Sequence, residues 1–214
     1  LAGMVACMVV VLSTSSARAE MDVAGTLIEF NDNGAWSWFE DERAIVDAAA
    51  GKILVSSVAN AAGAGGTARN GDVEVVAYDI ATGQVSAPFT LHDNLEADDH
   101  DSAALWLRPD GKYLAMYSGH NQDQLTRYRI STTAGDPTQW GPEQTFNNGA
   151  NTTYSNLHHL PDDRGGAGRL YNFTRTSNFN PNILVSNDHG ATWSIGGRLV
   201  TQGVGNQRPY VRYY

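Results

Sequence analysis

The sequence predicts an all-β fold, and three features support this: short apolar segments, regularly spaced turn residues and an internal repeat. The segments are rich in β-branched and aromatic residues and partly alternate, which is typical of half-buried strands. The clearest are Lys52–Val58, Val73–Ile80, Ala103–Leu107, Tyr113–Ser118 and Leu125–Ile130. Turn residues such as Pro109-Asp110-Gly111 separate them. No segment has a convincing helical period, although Ala44–Ala50 is compatible with one helical turn.

The internal repeat narrows the prediction to a β-propeller. Gly51, Gly111 and Gly168 each precede a strand of similar composition, and they lie 60 and 57 residues apart. A candidate first strand comes before each glycine, and another strand follows each glycine-led one. A unit of several antiparallel strands that recurs in this way is typical of propeller blades. A β-sandwich is the alternative, but its strands need not repeat in kind.

The turn between Ser186 and Trp193 matches the Asp-box, S-x-D-x-G-x-T-W, of sialidase-like propellers. In such a turn an aspartate can accept hydrogen bonds from backbone N–H groups, and glycine supplies a positive φ. The tryptophan is expected to pack into the sheets. We therefore expect a structural and not a catalytic role for the members of this motif: Ser186, Asp188, Gly190, Thr192 and Trp193.

Charge and cysteine content exclude several classes of function. The formal net charge of −9 argues against general binding to nucleic acid or anionic membranes, because such binding depends on Lys and Arg. A local cationic pocket for an acidic ligand remains compatible with it. Cys7 is the only cysteine and lies in the N-terminal apolar run. The chain after residue 19 therefore has no disulfide, no cysteine zinc site and no catalytic thiol.

Residues 1–19 have the pattern of a signal peptide that is truncated at its N-terminus. Leu1–Leu12 is almost wholly apolar, and Ala17-Arg18-Ala19 is a cleavage pattern before Glu20. We expect residues 20–214 to form a partial propeller domain that is secreted or periplasmic, with no membrane attachment after cleavage. A membrane anchor is the alternative, but an apolar run of this length is too short to cross a bilayer.

The repeat predicts that large polar side chains from different blades meet near the propeller axis. Nearly equivalent positions in the first strands carry Trp38, His100, Tyr154 and either Arg208 or Tyr210. The ends of the second strands carry Asn60, His120 and Arg175. Each also has a simpler explanation. A single histidine is often a structural hydrogen-bonding group, and an arginine often pairs with a carboxylate. Asp98-Asp99-His100-Asp101 is compatible with an exposed acidic turn or with a cation site.

Several segments resemble a known family, the BNR-repeat propellers, which includes seven-bladed polysaccharide lyases and notably ulvan lyases. The resemblance covers Trp36 to Tyr214, and its most specific parts are Asp98-Asp99-His100 and Gly119-His120-Asn121. It implies that the complete propeller has seven blades and that this chain supplies the first three to four. Later blades would then be absent from this sequence.

The resemblance also implies roles for particular residues. It places His100 and His120 in a catalytic pair, Tyr154 as a catalytic tyrosine, and Arg175 against the carboxylate of a uronate. The residues 161–168, between Tyr154 and Arg175, look like an enlarged loop and depart from the pattern of the family. We also expect four residues to bind substrate: Trp36, Trp38, Asn121 and Arg208. No cofactor is evident, no residue is assigned as a metal ligand, and the sequence does not determine whether a structural metal is bound.

These residue types suit β-elimination from an acidic polysaccharide. A cation beside the uronate carboxylate stabilises the enolate-like transition state, and histidine or tyrosine transfers protons. A sialidase-like glycoside hydrolase is an alternative on the same fold, although hydrolysis favours two carboxylates that flank the bond. A non-catalytic carbohydrate-binding propeller is the other alternative, with Trp36, Trp38 and Tyr154 as stacking platforms. Fold alone does not choose among them.

Overall fold

The computed structural model describes residues 27–37, 40–41, 43–176 and 179–201. It contains three four-stranded antiparallel sheets, each with its strands in sequence order. We call them blades 1, 2 and 3. Blade 1 consists of β1 (Ala44–Asp47), β2 (Lys52–Val58), β3 (Val73–Asp79) and β4 (Phe89–His92). Blade 2 consists of β5 (Ala104–Leu107), β6 (Tyr113–Tyr117), β7 (Leu125–Ile130) and β8 (Gln144–Asn147). Blade 3 consists of β9 (Thr152–Leu160), β10 (Arg169–Thr176), β11 (Asn180–Ser186) and β12 (Ser194–Arg198).

The glycine repeat marks the same point in every blade, the turn before the second strand. Gly51, Gly111 and Gly168 have φ values of 65°, 76° and 73°, which favour glycine because it has no Cβ. The strands that follow, β2, β6 and β10, hydrogen-bond on both sides within their blades. The all-β propeller prediction is therefore confirmed.

Two local features differ from the sequence prediction. Residues 44–50 form β1 and a turn, because Ala44–Asp47 pairs with Lys52–Val55 across the Gly51 turn. Each blade also has a fourth strand that the sequence did not predict. Those of blades 2 and 3 are largely exposed, so they lack the apolar alternation from which strands are recognised.

The core is formed where successive blades pack face to face, and β6 takes part in both contacts. Side chains alternate between the two faces of a strand. Tyr113 and Tyr117 therefore pack with Leu54 and Leu91 of blade 1. Leu114 and Met116, on the opposite face, belong to the cluster shared with blade 3. All five residues of β6 are buried, as expected for a strand whose sheet is covered on both faces by neighbouring sheets.

The turn between β11 and β12 is closed by its own polar side chains. Asp188 accepts hydrogen bonds from the backbone N–H of Thr192 at 2.9 Å and from its hydroxyl at 2.6 Å. The Ser186 hydroxyl donates to Asp188 at 2.8 Å and accepts from the Gly190 N–H at 2.8 Å. Burial would raise the pKa of Asp188, but the hydrogen bonds from Thr192 and Ser186 outweigh it and lower that pKa.

The same turn packs against blade 2. Gly190 has φ 85°, and a Cβ there would lie 2.6 Å from Cδ2 of Leu114. The Trp193 ring meets Tyr128 edge to face, and the Tyr128 hydroxyl donates to the Ala191 carbonyl at 3.2 Å. This contact fixes blade 3 against blade 2.

Three sequence predictions lie outside the described residues. They concern the signal peptide in residues 1–19 and the two substrate-binding candidates Trp38 and Arg208. Within the part of the chain that the structure describes, no helix is long and apolar enough to cross a membrane.

Candidate functional site

Four side chains that the sequence singled out lie in contact where blades 2 and 3 meet. The rings of His100 and His120 stack with centroids 4.0 Å apart and an angle of 19° between their planes. The centroid of the Tyr154 ring lies 5.2 Å from that of the His100 ring. Arg175 lies over the Tyr154 ring, with Cζ 4.8 Å from its centroid. The predicted convergence of His100, His120, Tyr154 and Arg175 is thus observed.

His100 reaches the cluster from a turn and not, as the repeat suggested, from a first strand. Residues Asp99–Asp101 form one turn of 3-10 helix before β5. Asp98 closes this turn, because its carboxylate accepts a hydrogen bond from the His100 N–H at 3.0 Å. An aspartate that bonds the backbone two residues further on stabilises a turn against the extended conformation.

The Asp98 carboxylate also bonds both imidazole rings. Its Oδ1 contacts Nδ1 of His100, and its Oδ2 lies 2.8 Å from Nδ1 of His120. Burial would raise the pKa of Asp98, but the hydrogen bonds from His100 and His120 outweigh it and lower the pKa to about 2. Asp98 therefore carries a negative charge at neutral pH.

His120 lies on the loop that follows β6, and a second carboxylate holds that loop. Glu96 accepts hydrogen bonds from the His120 N–H at 2.8 Å and from the Gln122 side chain at 2.6 Å. The next residue, Asn121, has φ 63°, and its N–H donates to the Thr152 carbonyl of blade 3 at 2.9 Å. The loop therefore connects the two blades beside the site.

Tyr154 occupies an irregular position in β9. Pairing with β10 shifts between Asn156↔Phe173 and Thr153↔Arg175, so β9 has one extra residue there. Tyr154 adopts φ 68°, which is uncommon for a bulky residue, and β-bulges of this kind often redirect a side chain near an active site. The bulge also places Tyr154 beside Arg175.

Arg175 lies within β10, and its guanidinium is close to two aromatic rings. It is only 5% exposed, and its Cζ lies 5.4 Å from the centroid of Phe179 as well as over Tyr154. Arg175 and Asn121 both line a cavity of about 290 Å³. The predicted substrate-binding residue Asn121 is thus adjacent to the arginine.

A second cavity, of about 390 Å³, lies at the histidine side of the site. Its lining includes Asn60, Asp98, Asp99 and Ala35. Trp36 follows Ala35 in the chain and is 55% exposed, so its ring is accessible to a ligand. The substrate-binding roles of Trp36 and Asn121 remain predictions.

Asp101 differs from Asp98 although both belong to the same acidic segment. It is fully buried, and neither oxygen has a hydrogen-bond partner among the described residues. Burial, reinforced by the charges of Glu96, Asp98 and Glu40, raises the pKa of Asp101 to about 9. This carboxyl group is therefore neutral at neutral pH. The segment is neither a uniformly exposed acidic turn nor a set of equivalent ligands.

Asp98, His100 and His120 form the one group in the described part of the chain with the donors and spacing to hold a metal ion. Their ligand atoms lie within 4.8 Å of one another. Imidazole and carboxylate are donors that zinc-like ions accept. The two Nδ1 atoms already bond Asp98 directly, so the arrangement is also complete as a hydrogen-bonded triad.

Comparison with known proteins identifies the family of the chain. Residues 65–214 match the family model described as BNR repeat-containing family member. The chain belongs to the BNR repeat-containing family. This confirms the resemblance drawn from its motifs. No curated protein matches the sequence of this BNR-repeat chain.

Three solved structures similar to this BNR-repeat chain are polysaccharide lyases. A PL25 ulvan lyase bound to -[GlcA(1-4)Rha3S]- has a TM-score of 0.55 and 19% identity, over 79% of this chain and 40% of the lyase. A second structure of a PL25 ulvan lyase has a TM-score of 0.55 and 20% identity over the same shares. The structure of the polysaccharide lyase Uly1 has a TM-score of 0.47 and 14% sequence identity, over 80% of this chain and 45% of the Uly1 chain. The chain thus spans about 40% of the ulvan lyases it matches, and at this identity the likeness shows the fold.

Sequence reasoning did not assign functions to Asp98 and Glu96, which hold the histidines. Asp98 had a recognisable signal, because an aspartate in a turn often accepts a hydrogen bond from the backbone N–H two residues further along the chain. Its second bond, to His120, joins residues 22 apart and depends on the tertiary fold. Glu96 lacks any comparable local signal.

Proposed function

We propose that the protein is an exported polysaccharide lyase that cleaves a uronate-containing polysaccharide by β-elimination. The observation that supports this best is the continuous contact of His100, His120, Tyr154 and Arg175. These residues supply a cation and several proton-transfer groups within one site, as elimination requires. The apolar run before Ala17-Arg18-Ala19 supports export.

In the proposed reaction Arg175 binds the carboxylate of the uronate. A guanidinium can hold a carboxylate through two parallel N–H···O bonds, and it stabilises the negative charge that develops when C5 loses its proton. Arg175 is well suited to this because two aromatic rings and the surrounding strand hold it in place. The ulvan lyase with bound GlcA(1-4)Rha3S supports a uronate as the recognised sugar.

Proton transfer is assigned to the histidine pair and Tyr154. One of these groups takes the proton from C5, the C4–O bond breaks, and a C4=C5 double bond forms beside the carboxylate. Another donates a proton to the departing glycosidic oxygen, so that the proton count balances. Groups positioned in this way typically contribute ~10²–10⁴-fold to a rate.

Glycoside hydrolysis is less well supported by the same geometry. Hydrolases place two carboxyl groups on opposite sides of the scissile bond. Asp98 is engaged with both histidine rings, and Asp101 is fully buried. Only Asp99 of this segment is substantially exposed, with 48% of its side chain accessible.

A non-catalytic carbohydrate-binding role is the second candidate, and the exposed Trp36 ring favours it. Aromatic rings stack on the apolar faces of sugars in lyases and binding modules alike. Such a role requires the two cavities but has no need for stacked histidines.

Mixing the full-length protein with uronate polymers separates these candidates by their products. Elimination produces an unsaturated uronate, which absorbs in the ultraviolet, together with new chain ends. We expect that absorbance to rise on a uronate polymer and not on a neutral one. New reducing ends without absorbance would indicate a hydrolase, and saturable binding without any product would indicate a binding module.

A further inference from the structure

One carboxylate contacts both imidazoles of the stacked pair through the same ring atom. Asp98 Oδ1 bonds Nδ1 of His100, and Asp98 Oδ2 bonds Nδ1 of His120 at 2.8 Å. The His100 N–H donates to Oδ1 at 3.0 Å and fixes the carboxylate within its turn. Asp98 therefore has little freedom to turn away from either ring.

This arrangement determines which nitrogen of each neutral ring carries the proton. An ionised carboxylate only accepts hydrogen bonds, so an Nδ1 that faces Asp98 must be an N–H donor. A neutral imidazole has a single N–H, and its Nε2 is then an acceptor. Across the described residues, no group forms a hydrogen bond with Nε2 of His100 or His120.

The neighbouring carboxylates do not provide the same arrangement. Asp99 Oδ1 lies 2.9 Å from Nδ1 of His100, but Asp99 forms no bond to His120. Glu96 bonds the backbone of His120 and not its ring. Among the described residues, Asp98 is the carboxylate shared by both rings.

We propose that Asp98 is a positioning residue that fixes the orientation and tautomer of both histidines at once. Both rings then keep Nε2 unprotonated in their neutral form and available for proton transfer. The catalytic consequence rests on the proposed lyase function, whereas the tautomers are a property of the protein itself. Asp98 acts through the histidines and is not assigned a contact with substrate.

The substitution Asp98→Asn provides a specific test, because an amide has one acceptor and one donor side. The amide oxygen can still accept Nδ1–H from one ring, but the NH₂ group then faces Nδ1 of the other. That ring must place its proton on Nε2 to accept the new bond. We expect one histidine of the pair to change tautomer and the other to keep it.

Nitrogen-15 NMR of the full-length protein at mildly alkaline pH, without substrate, measures these tautomers directly. Single His100→Gln and His120→Gln variants assign the two signals. We expect Nδ1–H for both rings in the wild type and for only one ring in Asp98→Asn. Nε2–H on either ring of the wild type overturns the proposal, and so does an unchanged pair in Asp98→Asn. The wild-type spectrum alone decides the matter if Asp98→Asn does not fold.

Elimination kinetics on a uronate polymer then test the catalytic consequence. Removing the carboxylate that fixes the tautomer of a catalytic histidine costs up to ~10⁴ in kcat. We expect Asp98→Asn to lower kcat by at least ~10² while KM changes little, because the substituted group does not touch substrate. Asp93→Asn is the matched control, since it neutralises an exposed carboxylate in the same segment between β4 and β5 that bonds neither histidine among the described residues.

The two readouts separate failure of this proposal from failure of the proposed function. If the wild type shows the expected tautomers but eliminates no uronate polymer, the lyase function fails and the tautomer assignment stands. If the wild type eliminates and Asp98→Asn retains its kcat, the positioning role is overturned and the lyase function stands. An equal loss of kcat in Asp93→Asn would also overturn the role, because neutralising any nearby carboxylate would then suffice.

Discussion

Blades 2 and 3 supply the same number of site residues but hold them in different ways. Blade 2 provides His100 and His120 from loops next to its strands, and acidic side chains fix both of them. Blade 3 provides Tyr154 and Arg175 from within paired strands, where a bulge and the strand register fix them. The histidines therefore depend on hydrogen bonds to carboxylates, whereas the tyrosine and arginine depend on backbone pairing.

This difference predicts how each half of the site responds to change. Loops are more variable and less rigid than the strands they connect, so a loop-borne catalytic group needs added hydrogen bonds. Asp98 and Glu96 provide these bonds in blade 2. In blade 3, Asn172 stabilises the bulge, because its side chain accepts from the Asn156 N–H at 2.8 Å and donates to the Ser155 hydroxyl at 3.4 Å.

A large effect on kcat is expected at the blade 3 arginine. Arg175→Lys keeps the positive charge but loses the planar two-pronged contact with a carboxylate. Loss of one preorganised contact of this kind costs about 10²–10³ in kcat. The measurement is elimination kinetics on a uronate polymer, with Arg169→Lys on the same strand as the control. Equal activity in the two variants would contradict the role of Arg175.

A smaller effect is expected from weakening the bulge beside Tyr154. Asn172→Ala leaves the buried Asn156 N–H without its acceptor, which costs about 1–3 kcal/mol of unfolding free energy. Chemical denaturation measures this loss, and Asn187→Ala, at an exposed position in blade 3, is the control. We also expect the kcat of uronate elimination to fall more in Asn172→Ala than in Asp99→Asn. Unchanged stability and kcat would show that strand pairing alone holds the tyrosine.

A third prediction concerns the pH dependence of the free energy of unfolding, through Asp101 beside blade 2. The folded protein keeps the Asp101 proton up to a pKa of about 9, whereas the ordinary value is 3.8. Between these two pH values the folded state binds more protons than the unfolded state. Asp101 therefore lowers the free energy of unfolding as pH rises, by at most about 1.4 kcal/mol per pH unit. Asp101→Asn should remove this contribution from denaturation curves between about pH 5 and pH 8. An identical pH dependence in the variant would contradict the buried neutral carboxyl group.

The sequence predicted the blades well because their strongest signal is local. A glycine such as Gly111 is required by the positive φ of its own turn, so the repeat is visible without tertiary structure. The fourth strands were missed because exposed strands such as β12 are defined by their pairing partners and not by apolar alternation. The bulge at Tyr154 depends on pairing between two strands in the same way.

The sequence predicted which residues form the candidate site but not which residues hold them in place. His100, His120, Tyr154 and Arg175 stood out by residue type at matching places in the repeat. Asp98 and Asp101 could not be distinguished in sequence, since both are aspartates beside His100. The structure separates them by burial and partners: Asp98 bonds two rings, and Asp101 is enclosed without a hydrogen bond among the described residues.

The rate of unsaturated uronate formation by His100→Ala and Tyr154→Phe, relative to the wild type, tests the central claim most directly. One variant removes a side chain held by the loops of blade 2, and the other removes a hydroxyl placed by the strands of blade 3. If the two blades form one proton-transfer site, each variant should lose ~10²–10⁴ in kcat while polymer binding is largely retained. Elimination at the wild-type rate in both variants would contradict that claim.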